Sequence, residues 1–427
     1  MYLPIKILST NITRIVYLYI FTTQELYSQL KSVTIMIKLH LIYIFFLLSI
    51  PFIISAQSKT PPGYIVSHIP ASTERYIGSP GLCILPDGSY LASHDEFGPK
   101  TSEFRSAKTY IFHSSDKGKN WKKIAKIDGQ FWSNLFVHNG IVYIMGTHKH
   151  HGNVIIRRSD DGGYTWTNPY KSDTGLILEG EYHTAPMPVI IHNGRIWRAV
   201  EYATAPSTDW GKRYSAMVIS APVNADLLNA KNWRRTNHLM YDSTYLEGTF
   251  NGWLEGNVVV SPEGKMLDIL RVDTKRKGEE YAAIVEISKN GKKASFNPET
   301  GFIPFPGGSK KFTIRYDEVS KRYWMLTNYV KPEFKLFSPS RIRNTQALCS
   351  STDLKNWTVH QFVLTHPDFK HHGFQYVEWL FDGNDILFLS RTAYDEPNGV
   401  AHNNHDANYL TLHKIENFRD LINNSIE

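Results

Sequence analysis

Reactive side chains recur in this 427-residue sequence at two distances from a series of sharp turns. About eight residues before each turn and about seven after it, polar and ionisable residues replace the small or apolar residues expected at strand ends. In chain order these positions hold Ser79, His94, Asp95, Trp132, His148, Tyr182, His183, Arg198, Glu201, Glu255, Arg271, Arg315, Asn328, Tyr376 and Arg391. The set combines groups that bind anions with groups that transfer protons.

The arginines predict an acidic ligand. Arg198, Arg271 and Arg391 lie on the strands that leave three of the turns, 4, 7 and 8 residues after the turn glycine, and Arg315 lies on the strand entering another turn. Converging guanidinium groups bind a carboxylate through paired hydrogen bonds and stay charged at any working pH. We expect these four arginines, together with His148 and His150, to bind an acidic sugar.

Tyrosine and histidine side chains indicate proton transfer. Elimination at a uronic acid needs cationic groups that neutralise the carboxylate, so that the C5 proton becomes acidic, and a base that removes it. Tyr376, Tyr182 and His183 are of the right type for that base, and His94 stands beside them in the set. The residue types therefore predict a carbon–oxygen lyase or dehydratase that breaks a C–O bond at a terminal uronate.

A histidine cluster also allows a metal hypothesis. His148, His150 and His151 follow one strand, and two histidines at i and i+2 of a strand can face one ion. No Cys or Asp nearby completes a closed site, so we predict no metal and no other cofactor.

The elements that must position these residues are hairpins of two apolar strands. Their turns centre on Gly88, Gly140, Gly194, Gly264 and Gly383, with one further turn near Ser320. The first four turns are 52, 54 and 70 residues apart, which leaves room for four short strands per unit. Six four-stranded sheets arranged radially leave no long exposed edge. We predict an all-β fold, a six-bladed β-propeller; an ordinary sandwich does not explain the near-even spacing.

A second repeat has the frame S-x-D-x-G-x-[TN]-W. It occurs at residues 114–121 and 159–166, with a shorter copy at residues 351–357. In such a turn the Asp can cap backbone N–H groups, the Gly can take a left-handed conformation and the Trp can pack between sheets. This frame is the Asp box. With the six units it makes residues 65 to 415 resemble the sialidase superfamily of six-bladed β-propellers.

The resemblance implies roles for individual residues. The segment from Glu255 to Arg271 looks like the sialidase hairpin flanked by a Glu and an Arg, and residues 374–383 look like the segment with the nucleophilic Tyr. Tyr376 would then be the nucleophile, Glu255 its base and Asp95 the acid/base.

The sequence departs from the family at the first arginine of the sialidase carboxylate-binding triad. Gly78 or Ser79 stands in its place, so sialic acid hydrolysis is not the first expectation. The added Tyr and His residues more weakly resemble those of propeller lyases and dehydratases that degrade ulvan. A uronate lyase or dehydratase is the leading hypothesis. The alternatives are a sialidase-like exo-glycosidase and a non-catalytic glycan-binding propeller.

The N-terminal residues predict export. Met36 to Lys38 give a short positive start, residues 41–54 an apolar core, and Ser55-Ala56 a cleavage site. We predict an upstream extension in residues 1–35, a signal peptide in residues 36–56, and a single catalytic propeller in residues 57–427, secreted or periplasmic. The apolar run is shorter than the roughly 20 residues that a membrane anchor needs.

Composition excludes other classes of protein. With 42% hydrophobic and 13% aromatic residues and only 2 Cys, the chain is neither disordered nor stapled by disulfides. The net charge of +7 comes without blocks of Lys or Arg, which argues against nucleic acid and suits a small acidic partner. We expect a monomer that acts on an acidic oligosaccharide or polysaccharide.

Overall fold

The computed structural model describes residues 20, 22–38, 40 and 60–426. The chain divides into two units, Met1–Ser58 and Lys59–Glu427. In the first, residues 22–38 form an exposed helix. The predicted apolar core and cleavage site of the signal peptide lie outside the described residues. Among the described residues no helix is long and apolar enough to cross a membrane.

The second unit is built from antiparallel strands grouped into sheets. The N-terminal strand is β1 (Tyr64–His68), and the first sheet contains β2 (Tyr76–Ile84), β3 (Tyr90–Phe97), β4 (Lys108–Ser114) and β5 (Lys122–Asp128). The next sheet has eight strands, β6 (Phe131–His138), β7 (Ile141–Thr147), β8 (Gly152–Ser159), β9 (Leu176–His183), β10 (Ile190–His192), β11 (Arg195–Tyr202), β12 (Ser215–Pro222) and β13 (Arg234–Arg235).

The remaining sheets continue in chain order. A five-stranded sheet contains β14 (Phe250–Val260), β15 (Met266–Thr274), β16 (Tyr281–Ile287), β17 (Ala294–Ser295) and β18 (Phe302–Pro304). A four-stranded sheet contains β19 (Thr313–Asp317), β20 (Arg322–Asn328), β21 (Thr345–Ser351) and β22 (Thr358–Thr365). The last sheet joins β1 to β23 (Gly373–Asp382), β24 (Asp385–Ala393) and β27 (Tyr409–Ile415), and β25 (Asp395–Glu396) pairs with β26 (Gly399–Val400).

Helical structure in the second unit is limited to short turns. These are Ala71–Thr73, Ala230–Asn232, Tyr245–Gly248, Pro298–Gly301, Pro332–Phe334, Pro339–Arg341 and Phe418–Asn423. Because all of them lie between strands or after the last strand, the sheets carry the architecture.

The predicted hairpins are observed. The strand pairs β2–β3, β6–β7, β10–β11, β14–β15, β19–β20 and β23–β24 are all antiparallel neighbours. Two of the turns use Asn-Gly with both residues at positive φ, 51° and 77° at Asn139-Gly140 and 49° and 68° at Asn193-Gly194. This is the backbone of a type I′ turn, whose twist matches that of the strands it joins.

The sheets surround a common axis as a β-propeller. Strand β2 contacts both β6 and β23, β14 contacts β11 and β19, and β19 contacts β23. Because β6 and β11 belong to one sheet, these contacts run from sheet to sheet around a centre. Fully buried tryptophans belong to these sheets, namely Trp197, Trp253, Trp324 and Trp379. Pairing of β1 with β27 joins the start of the unit to its end. The predicted all-β propeller is confirmed.

The prediction of separate four-stranded sheets is wrong at two places, since β18 adds a fifth strand to one sheet and two predicted units share another. Strands β9 and β11 are hydrogen-bonded through the pairs His183↔Glu201 and Tyr182↔Tyr202, which merges eight strands into one sheet. Edge pairing of this kind satisfies backbone groups that a separate sheet would leave open.

The Asp boxes form the turns that the sequence predicts. In the second box Asp161 accepts hydrogen bonds from Ser159 Oγ at 2.8 Å and Thr165 N at 2.9 Å, and Trp166 Nε1 donates to the Gly163 carbonyl at 2.9 Å. The shorter copy closes in the same way, with Leu354 at φ 65° where the other boxes have a glycine. The box residues are therefore structural.

We predict that Asp161→Ala lowers the free energy of unfolding by about 1–2 kcal/mol, because the loop loses its capping carboxylate. Chemical denaturation followed by tryptophan fluorescence measures the change. Asp160→Ala is the matched control, since Asp160 only pairs with Arg158 at the surface, and it should change stability by less than about 1 kcal/mol. Equal losses in the two variants would contradict the capping role.

Candidate active site

Bulges in four innermost strands place residues near the axis. The strand register shifts at residues 77–80 of β2, 131–134 of β6, 254–257 of β14 and 375–378 of β23. Within three of these bulges Trp132, Glu255 and Tyr376 have positive φ values of 45°, 59° and 52°. A left-handed non-glycine residue persists only where its surroundings hold it, and such residues cluster at functional sites. The common bulge position explains why a fixed offset from each turn identifies them.

Tyr376 and Glu255 form the centre of the cluster. The Tyr376 hydroxyl donates to Glu255 Oε1 at 2.9 Å, and Arg271 Nη1 binds the other carboxylate oxygen at 3.0 Å. Arg271 is held by a second bond, from Nε to the Ser309 carbonyl at 2.8 Å. Glu255 and Arg271 are buried, whereas Tyr376 is partly exposed. The structure thus brings three predicted residues from two sheets into one hydrogen-bonded chain.

Two further arginines face the Tyr376 ring. The guanidinium carbon of Arg391 lies 4.7 Å from the ring centre and 4.3 Å from that of Phe97, and Arg343 lies 6.0 Å from the Tyr376 ring centre. Arg391 Nη2 also donates to the His405 carbonyl at 2.6 Å. Together with Arg271 they make three guanidinium groups around one phenol.

Some donors of these arginines are unused. Among the described residues, Arg343 Nη1 and Arg391 Nε are buried and have no hydrogen-bond partner. A buried charged donor without a partner is costly, so such atoms point to a ligand that completes them. A carboxylate matches the charge and the fork geometry of guanidinium groups.

Arg343 was not among the predicted site residues. It lies just before β21, the third strand of its sheet, whereas the predicted positions flank the hairpin of the first two strands. The segment Arg341-Ile-Arg343-Asn ahead of an apolar strand was the available signal.

The charges set the ionisation of the central pair. Burial opposes ionisation of Glu255, but Arg271, His183 and the Tyr376 hydroxyl outweigh it and hold the pKa of Glu255 below its ordinary value. Burial and the Glu255 charge raise the pKa of Tyr376 against the opposing effect of the three arginines. Glu255 is therefore an ionised acceptor beside a protonated phenol, which is the arrangement of a base and a nucleophile.

Asp95 occupies the place where a first arginine is missing. Its Oδ1 accepts from Ser79 N at 2.7 Å and its Oδ2 from Trp132 N at 2.5 Å. A Cβ built on Gly78 would lie 1.6 Å from Asp95 Oδ1, so this carboxylate excludes any side chain at Gly78. Burial raises the pKa of Asp95 to about 7, against the effect of those two N–H donors. Asp95 joins two neighbouring bulges.

His183 and Glu201 lie behind the cluster. His183 Nδ1 is 2.8 Å from Glu201 Oε2, and Glu201 Oε1 accepts from Gly256 N at 2.9 Å. The bond to Gly256 fixes the bulge that carries Glu255. His183 is therefore near the site but is paired as a positioning group.

Two of the predicted arginines do not reach the cluster. Arg198 is fully buried and donates to the carbonyls of Met187 and Ala185 and to Thr184, because the segment before β10 folds over it. Arg315 pairs with Glu378 at 2.5 Å and lines a cavity of about 670 Å³ with turn residues such as Gly264. Strand β19 has only five residues, which leaves Arg315 near its turn and away from the open end of the hairpin. The structure therefore places neither arginine at the cluster around Tyr376.

Tyr182 and His94 also lie away from the cluster around Tyr376. The Tyr182 ring belongs to an apolar cluster of the eight-stranded sheet, and its hydroxyl lies 3.5 Å from Arg235 Nη1. His94 points away from its neighbour Asp95 because side chains alternate along a strand. It contacts Ser67 Oγ at 3.0 Å, and burial lowers the pKa of His94 to about 4.

The histidines after β7 do not form the predicted strand pair. Strand β7 ends at Thr147, so His148, His150 and His151 lie in a turn. His148 Nδ1 accepts from Asn153 N at 2.8 Å, whereas the His150 ring packs against Trp132 with ring centres 4.5 Å apart. Within the described residues no group of three His, Cys, Asp or Glu side chains is arranged to hold a metal ion.

Comparisons with known proteins identify the fold. No family model matches the chain, and no curated protein matches it by sequence. An alpha-L-arabinofuranosidase of Fusarium graminearum matches with 12% identity and a TM-score of 0.54, over 85% of this chain and 99% of its own. The leech intramolecular trans-sialidase matches with 12% identity and a TM-score of 0.51, over 86% of this chain and 72% of its own.

A third structure gives the same result. An alpha-L-arabinanase of Penicillium chrysogenum matches with 13% identity and a TM-score of 0.50, over 83% of this chain and 98% of its own. At these identities the similarity concerns the fold alone. It supports the propeller fold and gives no support to the predicted similarity to ulvan lyases.

Proposed function

We propose that this protein is a retaining exo-glycoside hydrolase that removes a terminal acidic sugar. One observation carries the proposal: the Tyr376 hydroxyl is hydrogen-bonded at 2.9 Å to Glu255, inside a ring of three arginines. Propellers of the same fold include an arabinanase, an arabinofuranosidase and a trans-sialidase, which supports action on a carbohydrate.

The reaction follows from the charges around Tyr376. The phenolic oxygen attacks the anomeric carbon while Glu255 accepts the phenolic proton, and the glycosidic C–O bond breaks as a carboxyl group protonates the leaving oxygen. Water then attacks the same carbon and gives a proton to the carboxylate left by the first step, while the tyrosyl C–O bond breaks and Glu255 returns the phenolic proton. A neutral phenol approaches a substrate carboxylate without the repulsion that a carboxylate nucleophile would meet.

The arginines orient the substrate. In the part of the chain that the structure describes, nothing bonds to Arg343 Nη1 or Arg391 Nε, and Arg271 is paired with Glu255 at 3.0 Å. We assign these groups to the sugar carboxylate, with Arg391 supplying the charge that the Gly78-Ser79 stretch lacks. A bidentate carboxylate fixes the ring so that its anomeric carbon faces Tyr376.

Hydrolysis accounts for the site better than the elimination that the residue types first suggested. Elimination was assigned to Tyr376, Tyr182 or His183, of which Tyr182 lies in an apolar cluster and His183 is paired with Glu201. An ionised base next to the phenol suits a nucleophile, because it removes the phenolic proton as the new bond forms.

We further propose that the propeller has six blades, with the eight-stranded sheet counting as two. Strands β6 to β9 and β10 to β13 each contain one predicted hairpin and two outer strands. Export through the predicted signal peptide, a monomeric state and a cofactor-free reaction remain part of this proposal.

One panel of substrates tests the function. Purified protein is incubated with aryl glycosides of sialic acid, glucuronic acid and arabinofuranose. In a parallel assay it is incubated with uronate oligosaccharides, and the formation of unsaturated products is followed by ultraviolet absorbance. We expect release of the aryl group from an acidic glycoside and no new ultraviolet absorbance. Absorbance of a conjugated double bond would establish elimination instead, and cleavage of the arabinofuranoside alone would remove the acidic substrate.

A further inference from the structure

We propose that Glu103, and not Asp95, is the carboxyl group that protonates the leaving oxygen and later activates water. This assignment rests on the proposed function and names a residue that the sequence patterns do not identify.

The oxygens of Asp95 are already used. Each accepts a backbone N–H, from Ser79 at 2.7 Å and from Trp132 at 2.5 Å, and the residue is 1% exposed. These two bonds hold the Asp95 carboxyl group against both bulges, and its burial leaves almost no surface that a substrate could reach. The geometry of Asp95 suits a structural role in which its carboxylate links the bulges of β2 and β6.

Glu103 has a free oxygen close by. It lies in the segment between β3 and β4, is 7% exposed, and its Oε2 is buried without a hydrogen-bond partner among the described residues. The ring of the next residue, Phe104, contacts His150, which packs on Trp132, so Glu103 lies beside the bulge whose N–H bonds Asp95, and the charge of Arg391 also acts on it. A buried carboxyl oxygen without a partner calls for a ligand group to complete it, and a substrate oxygen can fill that place.

The segment that carries Glu103 is anchored to the next sheet. His150 N donates to the Glu103 carbonyl at 2.8 Å, and Ala107 N donates to the His148 carbonyl at 3.3 Å. Catalytic groups need such support to keep their geometry.

The protonation state agrees with the geometry. Burial raises the pKa of Glu103 to about 7, so a large fraction carries a proton at neutral pH. In the first step that proton passes to the glycosidic oxygen as its bond to the anomeric carbon breaks. In the second step the Glu103 carboxylate takes a proton from the attacking water, which returns it to the starting state.

Glu103→Gln and Asp95→Asn are the matched test. For Glu103→Gln we expect turnover of a glycoside with a poor leaving group to fall by about 10²- to 10⁴-fold, and that of an activated aryl glycoside to fall much less. The loss of activity above pH 7 should also disappear, because Glu103 and Asp95 both have a pKa of about 7 but the one that gives its proton to the substrate is gone. Added azide should restore turnover of the activated glycoside by replacing water.

For Asp95→Asn we expect a lower thermal midpoint, while the dependence on leaving group and the loss above pH 7 remain. The assignment is overturned if Glu103→Gln keeps wild-type leaving-group dependence, or if Asp95→Asn alone shows the acid-deficient behaviour. A wild-type enzyme that cleaves no glycoside refutes the proposed function itself. Thermal melting identifies a misfolded variant, and Glu103→Asp, which keeps the carboxyl group, then carries the pH test.

A group of aromatic side chains next to Glu103 indicates what part of the substrate lies beyond the acidic sugar. Phe104 is 64% exposed, and its ring lies 4.5 Å from that of His150, which in turn lies 4.5 Å from Trp132. His150 Nδ1 is a buried atom without a partner. Burial lowers the pKa of His150 to about 3, so the ring is neutral. These three residues form a continuous wall, which we call the aromatic wall.

We infer that the aromatic wall binds the leaving group as an uncharged sugar ring. The backbone N–H of Trp132 bonds Asp95, and Phe104 directly follows Glu103 in the chain. The aromatic wall therefore lies next to the group that we assign to protonate the leaving oxygen. Apolar ring faces stack on sugars, and a neutral imidazole nitrogen can bond a hydroxyl.

Phe104→Ala tests the aromatic wall with two substrates of the same acidic sugar, one linked to lactose and one to methanol. We expect kcat/KM for the lactose-linked substrate to fall by about 3- to 10-fold, with the methyl glycoside unaffected. Tyr170→Ala, a similarly exposed ring on another surface, should change neither value. Equal losses for both substrates, or no loss for either, would overturn the inference.

Discussion

Replacing Tyr376 with phenylalanine should lower kcat by at least about 10³-fold, with little change in the affinity for a non-hydrolysable substrate analogue. The variant keeps the ring that contacts Arg391 and Arg343 and loses only the hydroxyl bonded to Glu255. Steady-state kinetics on the acidic aryl glycoside and calorimetric titration of the analogue measure the two quantities.

Tyr182→Phe is the control for this experiment. The Tyr182 hydroxyl has a single distant neighbour, Arg235 at 3.5 Å, and the ring packs in an apolar cluster. We expect its kcat to stay within about twofold of the wild-type value. A Tyr182→Phe variant as impaired as Tyr376→Phe would return the proton-transfer role to the eight-stranded sheet and contradict the nucleophile assignment.

Arg343→Lys should raise KM for the acidic glycoside by about 10- to 100-fold, because hydrogen bonds to charged groups contribute about 1.5–3 kcal/mol. Lysine keeps the charge but loses the planar fork whose Nη1 has no protein partner. Burial and the neighbouring Arg271 and Arg391 lower the pKa of Arg343 to about 10, so the arginine stays charged at neutral pH.

Arg315→Lys serves as the matched arginine control. Arg315 pairs with Glu378 beside a cavity lined by hairpin turns, and its replacement should leave KM unchanged. If Arg343→Lys also leaves KM unchanged, the free guanidinium atoms do not bind the substrate carboxylate.

The strand pattern was predictable because its signals are local. Apolar runs on both sides of a Gly turn specify a hairpin, and the Asp box specifies a second turn. Glu255 and Tyr376 were found because the bulges of their strands stand at the same distance from their turns. Residues at the same strand position in repeated units lie at a similar distance from the axis of the propeller.

The same offset failed where the local structure differs. Arg198 follows its turn by only 4 residues, whereas Arg271 and Arg391 follow theirs by 7 and 8. The segment before the three-residue strand β10 covers the Arg198 guanidinium group. Arg343 and Glu103 come from segments outside the first hairpin of their units. Their arrival at the cluster depends on tertiary packing, which a turn spacing does not encode.

Covalent trapping tests the central claim most directly. The acidic sugar cleaved in the substrate panel is supplied as a glycosyl fluoride that carries a second fluorine on the carbon next to the anomeric carbon. This second fluorine slows both formation and hydrolysis of the glycosyl-enzyme, and the reactive fluoride leaving group lets the intermediate accumulate. Intact-protein mass spectrometry followed by peptide sequencing should find one sugar attached to the Tyr376 oxygen, and none in Tyr376→Phe. An adduct on another residue, or turnover of the reagent without any adduct, would contradict the account.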